Sequence, residues 1–225
     1  MDSIPEVLFR CDLDDLKLFC QSSVKDKSGQ TIDRMTEKHW LFLANLYNKT
    51  RTVIKFEETD YYALLKQVKK NAVVLKETDL EIVQRACELI SKKYNNSTVE
   101  FGFYHGDFTP WNTVIENGKI KVFDFEYAKR TYPPYLDAVH YLLQKNFFVD
   151  GLNDANQIYS SLKDSSIWKK FDDRRSLEMV IMYLLEIINL YLSRTSEESL
   201  DEKSRQKIRI EILEKAVTEY ANLSR

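Results

Sequence analysis

The sequence predicts an α+β fold that is mainly α, with one small β-hairpin near its middle. Three observations predict it. Glycine and proline are scarce, five and four in 225 residues, which favours long helices over a turn-rich β fold. Apolar residues recur at helical spacing along much of the chain. Asn117-Gly118 stands between two short β-prone runs, the strongest local signal for a two-residue hairpin.

The elements follow in order. Residues 33–48 read as a helix, with Met35, Leu41, Leu43 and Leu46 among its apolar positions and Asp33 as its N-cap. Residues 59–69 form a second, with Tyr62, Leu65 and Val68 spaced along one face. Thr78 opens a capping box, Thr-Asp-Leu-Glu, and Leu80, Val83, Cys87 and Ile90 carry a third helix to Tyr94. Before residue 98 only 53–56 and 72–75 are β-like. After a polar break, 99–104 alternates as a strand, and 113–116 and 119–123 are the arms of the hairpin. Pro133-Pro134 restarts the chain. Helices follow at 136–148, 158–162, 177–192 and 208–223, with polar residues 195–205 as a connection. The whole chain, 1–225, reads as a single domain: helical over 1–98, loop and hairpin over 99–126, helical over 127–225.

Charge excludes some functions. Thirty-three Lys and Arg balance 35 Asp and Glu, a formal charge of -2, which argues against a nucleic-acid partner and gives no polybasic signal for a membrane surface. Cys11, Cys20 and Cys87 are odd in number and lack a C-x-x-C pair, so neither a disulfide framework nor a zinc knuckle is expected. The first residues show no basic segment leading into an apolar core. The most apolar stretch, 180–192, carries Glu186 and Asn189 and falls short of the about 20 residues a membrane span needs. A reduced, soluble, cytoplasmic chain is the expectation.

The chemistry concentrates in 104–126, YHGDFTPWNTVIENGKIKVFDFE. With Glu116 and Lys119 flanking the turn, Asn112 falls opposite Phe123 and Trp111 opposite Asp124. Asn112 and Asp124 are then diagonal neighbours, roughly 5–8 Å apart at Cβ. Strict alternation would aim them at opposite faces, so Asp124 is expected where the strand already turns. An amide oxygen and two carboxylates, Asp124 and Glu126, form an all-oxygen set suited to Mg²⁺. Asp107, on the loop entering the first arm, reaches the same space without being a ligand. A carboxylate to orient a hydroxyl, beside an Asn and an Asp to hold metal, is what phosphoryl transfer requires.

These residues carry a resemblance. His-x-Asp-x-x-x-x-Asn followed by Asp-Phe-x is similar to the catalytic and metal loops of the protein-kinase-like superfamily. Gly106 and Glu126 resemble its aminoglycoside phosphotransferase and choline kinase branch. The stretch 124–128 with 132–137 is similar to choline and ethanolamine kinases, and HGDFTPWN to bacterial small-molecule phosphotransferases. The resemblance implies a protein-kinase-like C-terminal lobe using ATP and Mg²⁺. It makes Asp107 the catalytic base, Asn112 and Asp124 the Mg²⁺ and nucleotide ligands, and Glu126 an auxiliary acidic residue at the metal. His105 becomes structural, and Asp137 the buried aspartate that braces the loop from the next helix. The family also places a β lobe, with a glycine-rich loop and a lysine, ahead of the helical lobe. Gly29 alone precedes Gly102 here, so that nucleotide lobe is expected to be absent and supplied by a longer chain or a partner chain. Weak MgATP binding by these residues alone follows.

Blander roles are set beside these. Phe108 and Trp111 pack under the loop, or one lines an acceptor pocket. Tyr127, Tyr132 and Tyr135 pack ordinarily rather than caging a quaternary ammonium. His39 and His140 are core or interface residues, and 197–209 is a solvated loop and helix face. G-x-S-x-G, H-E-x-x-H and a P-loop are all missing. The expected function is phosphorylation of a hydroxyl on a small-molecule acceptor, an amino alcohol, sugar or aminoglycoside. The alternative is a non-catalytic kinase-like binding or scaffold domain.

Overall fold

Long amphipathic helices make up most of the structure, as the scarcity of glycine and proline requires. The computed structural model describes residues 3–13, 16–22, 30–194 and 199–223. Within them the fold is α+β, mainly helical, with small sheets.

An antiparallel hairpin, β1 (Val7–Leu13) with β2 (Leu16–Gln21), comes first. Helix α1 (Glu37–Thr50), strand β3 (Thr52–Lys55), α2 (Asp60–Asn71) and α3 (Glu77–Tyr94) follow. Strand β4 (Thr98–Tyr104) leads to the hairpin β5 (Thr113–Glu116) and β6 (Lys119–Val122). Strand β7 (Lys129–Tyr132) then returns beside β4, completing an antiparallel sheet in the order β3-β4-β7. Five helices close the chain: α4 (Leu136–Phe148), α5 (Ala155–Lys163), α6 (Ser166–Lys170), α7 (Asp173–Leu192) and α8 (Leu200–Asn222).

Helix α7 is the axis of the core. Its residues 176–185 and 187–189 are buried, and α2, α3, α4, α6 and α8 pack around it. The apolar stretch 180–192 is therefore a core helix, and among the described residues no helix is long and apolar enough to cross a membrane.

The central hairpin has the expected register. Thr113 pairs with Val122 and Glu116 with Lys119, around Asn117 (φ 48°) and Gly118 (φ 76°), the two positive angles such a turn demands. Its edges are both covered: Gln30 exchanges backbone hydrogen bonds with Ile115, and Ser3 O accepts from Val122 N–H at 2.7 Å.

Several expectations need correction. Asp33 does not cap α1; Thr36 does, because the His39 ring reaches back to accept its backbone N–H at 3.1 Å, and the helix starts there. The capping box at Thr78 does not form. Lys76 is the N-cap of α3, and Glu77 and Asp79 instead offset the helix dipole from the first turn. Residues 72–75 are not a strand: Ala72–Val74 is a 3-10 turn following α2, with Val73 and Val74 exposed and, among the described residues, no strand paired with it. The segment 195–205 is not all connection. Ser199 caps α8 through Glu202 N–H, so the helix is under way by Leu200; residues 195–198 lie outside the described residues. Nor is 197–209 simply solvated. Arg209 is fully buried, its guanidinium 4.2 Å from the Tyr191 ring centroid and paired with Glu202. A planar cation that stacks on aromatic rings is the charged group best suited to such a place. Finally, 1–98 is not helical apart from two β-like runs. Hairpin β1–β2 went unseen because Val7, Leu8 and Phe9 are consecutive, apolar and exposed, which hides a period of two.

Candidate active site

The site grows from the end of β4. Asp137, in the first turn of α4, is buried and accepts two backbone hydrogen bonds, from His105 N–H to Oδ2 at 2.9 Å and from Gly106 N–H to Oδ1 at 3.0 Å. Burial pushes its carboxyl up to about 7, against the pull of those two donors. The loop is thereby tied by one shared carboxylate to a helix more than 30 residues further along the chain.

His105 ties the same loop to the far end of the hairpin. Its Nε2 donates to Phe123 O at 3.0 Å, and its Nδ1 accepts Asp107 N–H at 3.2 Å. Burial lowers the imidazole to about 4, so it is neutral and this one tautomer satisfies both bonds. Gly106 has φ +86°, and a Cβ there would lie 2.6 Å from Tyr127 O, so close backbone approach and a left-handed angle both require glycine.

Asp107 follows, its side chain 24% exposed. Asn112 Nδ2 donates to Asp107 Oδ2 at 2.7 Å and to Asp107 O at 3.0 Å. Both amide hydrogens are spent, which leaves the Asn112 Oδ1 as the atom it could offer a cation. Thr109 Oγ1 accepts Asn112 N–H at 3.2 Å, and Thr113 Oγ1 donates to Thr109 O at 2.9 Å, so the loop closes on itself before β5 begins. Phe108 is buried, stacked on Phe42 at 5.8 Å. Trp111 is 43% exposed, its ring edge-on to Phe148. A cleft of about 420 Å³ opens beside it, lined by Asp33, Pro110, Trp111 and Val149.

Asp124 lies just past β6 with φ 68°, turned out of the alternation as expected. It is exposed, as is Glu126. Partial burial and then the carboxylates of Glu126 and Asp107 raise its carboxyl above the ordinary value. The Asp124 carboxylate thus lies in the field of two further acids. The donors fit Mg²⁺ chemically: carboxylate oxygens and an amide oxygen. Among the described residues no group of three or more His, Cys, Asp or Glu forms a metal cluster, so water or phosphate oxygens would complete the set.

The structure therefore joins Asp107, Asn112, His105 and Asp137 in one hydrogen-bonded unit, and sets Asp124 and Glu126 beside it through charge alone. Tyr132 is buried and bonded to Glu186 at 2.7 Å, while Tyr127 bonds Arg194 and Tyr135 packs on Phe171; the three form no shared cage. Sequence reasoning missed His140. Its Nε2 lies 3.1 Å from Asp107 Oδ1. The signal was present: three residues after Asp137 on one helix, it shares the face turned toward the loop.

Comparison with family models, curated proteins and solved structures finds no match to this chain.

Proposed function

We propose that the chain works as the C-terminal lobe of a kinase-like phosphotransferase, moving the γ-phosphoryl group of ATP to a hydroxyl on a small molecule. The observation that carries this is the Asp107 carboxylate, fixed by Asn112 at 2.7 Å yet open to solvent, with two further acids at its side. In this reading Asp107 orients the acceptor hydroxyl and takes its proton as the oxygen–phosphorus bond forms and the bond to ADP breaks. Asn112, Asp124 and Glu126 hold Mg²⁺, which when bound would neutralise phosphate charge. The cleft beside Trp111 receives the acceptor, an amino alcohol, sugar or aminoglycoside. A non-catalytic binding domain is the second reading, and one observation favours it: Gly29 alone precedes Gly102, so these residues carry no glycine-rich loop to cover phosphates.

Two variants test the assignment. Calorimetry with ATP and Mg²⁺, together with transfer of label from ATP to members of each acceptor class, is the measurement. Asp124→Asn should weaken Mg²⁺-dependent nucleotide binding, because it removes charge at the metal. Asp107→Asn should leave that binding nearly unchanged and lower turnover about 10²–10⁴-fold. Equal loss of binding in both would remove Asp107 as the acceptor-side base, and full turnover in Asp107→Asn would leave the binding domain as the reading.

A further inference from the structure

Asp107 is held from two sides, and only one of them belongs to its own loop. His140 on α4 is buried, its Nε2 3.1 Å from Asp107 Oδ1 and its Nδ1 3.0 Å from the hydroxyl of Tyr183 on α7. Tyr183 is fully buried, and burial raises its phenol, so the hydroxyl keeps its proton and must give it to an acceptor. His140 Nδ1 is the acceptor within reach. A proton on Nδ1 would leave the Tyr183 hydrogen without a partner and turn a bare imidazole lone pair toward the carboxylate. The hydrogen-bond pattern thus places a proton on Nε2, donated to Asp107 Oδ1, and leaves Nδ1 to accept from Tyr183.

We propose that His140, oriented by Tyr183, is a positioning residue that fixes the Asp107 carboxylate for its acceptor hydroxyl. This rests on the phosphotransferase reading above. A carboxylate presents about four lone-pair positions. Asn112 takes one on Oδ2 and His140 one on Oδ1, so donors from the loop and from α4 set both rotation and tilt of the group. The remaining two positions are available to a ligand, on a side chain that stays 24% exposed. The order Tyr183, His140, Asp107 runs outward from the core helix to the opening, so the rigid interior dictates where the base stands. Misplacing such a group by about 1 Å can cost on the order of 10² in rate.

The test uses three variants and two readouts. In the transfer assay, His140→Phe should lower kcat about 10–100-fold with KM for ATP unchanged, the size expected when a base is mispositioned. His140→Gln should recover to within a few-fold of wild type, because its amide N–H reaches where Nε2–H stood. Tyr183→Phe should fall between the two. A kcat loss shared equally by Phe and Gln, or tracking only a fall in melting temperature, would overturn the positioning role while leaving the phosphotransferase reading intact. The second readout needs no turnover. Long-range ¹H–¹⁵N spectra report the tautomer of each histidine, and with three in the chain the His140 signals are identified by their loss in His140→Gln. The expected result is Nε2–H at His140, with its proton resonance displaced by Asp107→Asn. An Nδ1–H tautomer, or a resonance unmoved by Asp107→Asn, would overturn the pairing even in a chain that transfers no phosphate.

Discussion

The two sides of the candidate site are built from the same residue types and on opposite plans. On the braced side, Asp137 and Asp107 each accept hydrogen bonds at both carboxylate oxygens, from His105, Gly106, Asn112 and His140. On the open side, Asp124 and Glu126 are exposed, with no hydrogen bond from any described residue, and Glu126 helps raise the Asp124 carboxyl. Asp137 holds the loop backbone in place through two N–H donors, Asp107 is held by side-chain donors, and the acids of the open side face solvent. Changes at Gly106 and Asp137 should therefore register as stability, changes at Asp107 and His140 as turnover, and changes on the open side as binding.

The largest stability effect belongs to Gly106→Ala. Its Cβ would meet Tyr127 O at 2.6 Å and the Tyr127 carbonyl carbon at 2.8 Å, both backbone atoms that cannot swing aside, and it would hold a left-handed angle as well. A loss of about 3 kcal/mol is expected from strain and clash together. Gly151→Ala is the control. Its φ is +66° but nothing lies within 4 Å of the new methyl, so strain alone remains, about 1 kcal/mol. Urea midpoints compare the two. Equal losses would mean that the loop gives way at Tyr127 and is not braced as described.

The same contrast explains what could be read in the sequence. The register of the hairpin is legible in the sequence, with its second arm one residue shorter than the expected 119–123, because Asn117-Gly118 admits one turn and the turn pairs Thr113 with Val122. The conformation of Asp124 followed from that register. Helix α4 was legible to its ends, since Pro133-Pro134 marks where it can start. Hairpin β1–β2 was not, because its apolar residues are exposed in a row, and no burial pattern exists to be read. Strand β7 is four residues, Lys129–Tyr132, mostly polar, and becomes a strand only because β4 lies beside it. His140 was passed over for a different reason. A histidine on a largely buried helix face usually packs, and its partner Asp107 lies 33 residues away in sequence. Tertiary contacts of that span leave no local trace.

The next effect is smaller and depends on pH. Burial holds His39 and His105 down to about 4, so the stability each contributes is present above an unfolded value of 6.5 and is lost as pH falls from there toward 4. Asp137 works in the opposite sense. Its carboxyl is pushed up to about 7, so its contribution is present below the unfolded 3.8 and is lost as pH rises toward 7. On acidification from pH 7.5 to pH 5, Asp137 therefore offsets part of what the two histidines lose. Asp137→Asn removes that offset. Chemical denaturation at the two pH values should show the variant losing about 2–3 kcal/mol more than wild type on acidification, at about 1.4 kcal/mol per pH unit. The same loss in both proteins would mean that the two N–H donors keep Asp137 ionised throughout.

The smallest stability effect is expected where the open side begins, at Trp111. The indole is 43% exposed, and among the described residues the one aromatic ring it meets is Phe148, in a T-shaped contact and itself 49% exposed. Trp111→Ala gives up that edge contact and part of a half-buried surface, so the folded state should change by about 1 kcal/mol or less. Function should respond differently. Trp111 forms one wall of the cleft that also holds Asp33, Pro110 and Val149, and Pro110-Trp111 belongs to the loop that carries Asp107. If the acceptor lies there, losing the indole removes a flat apolar surface from both the ground and the transition state, so acceptor KM should rise several-fold while kcat and ATP binding hold steady. A several-fold drop in kcat instead would show that Trp111 holds the loop and belongs to the braced side. A variant that loses several kcal/mol would show the same by melting, and the boundary between the two halves would then move outward past residue 111.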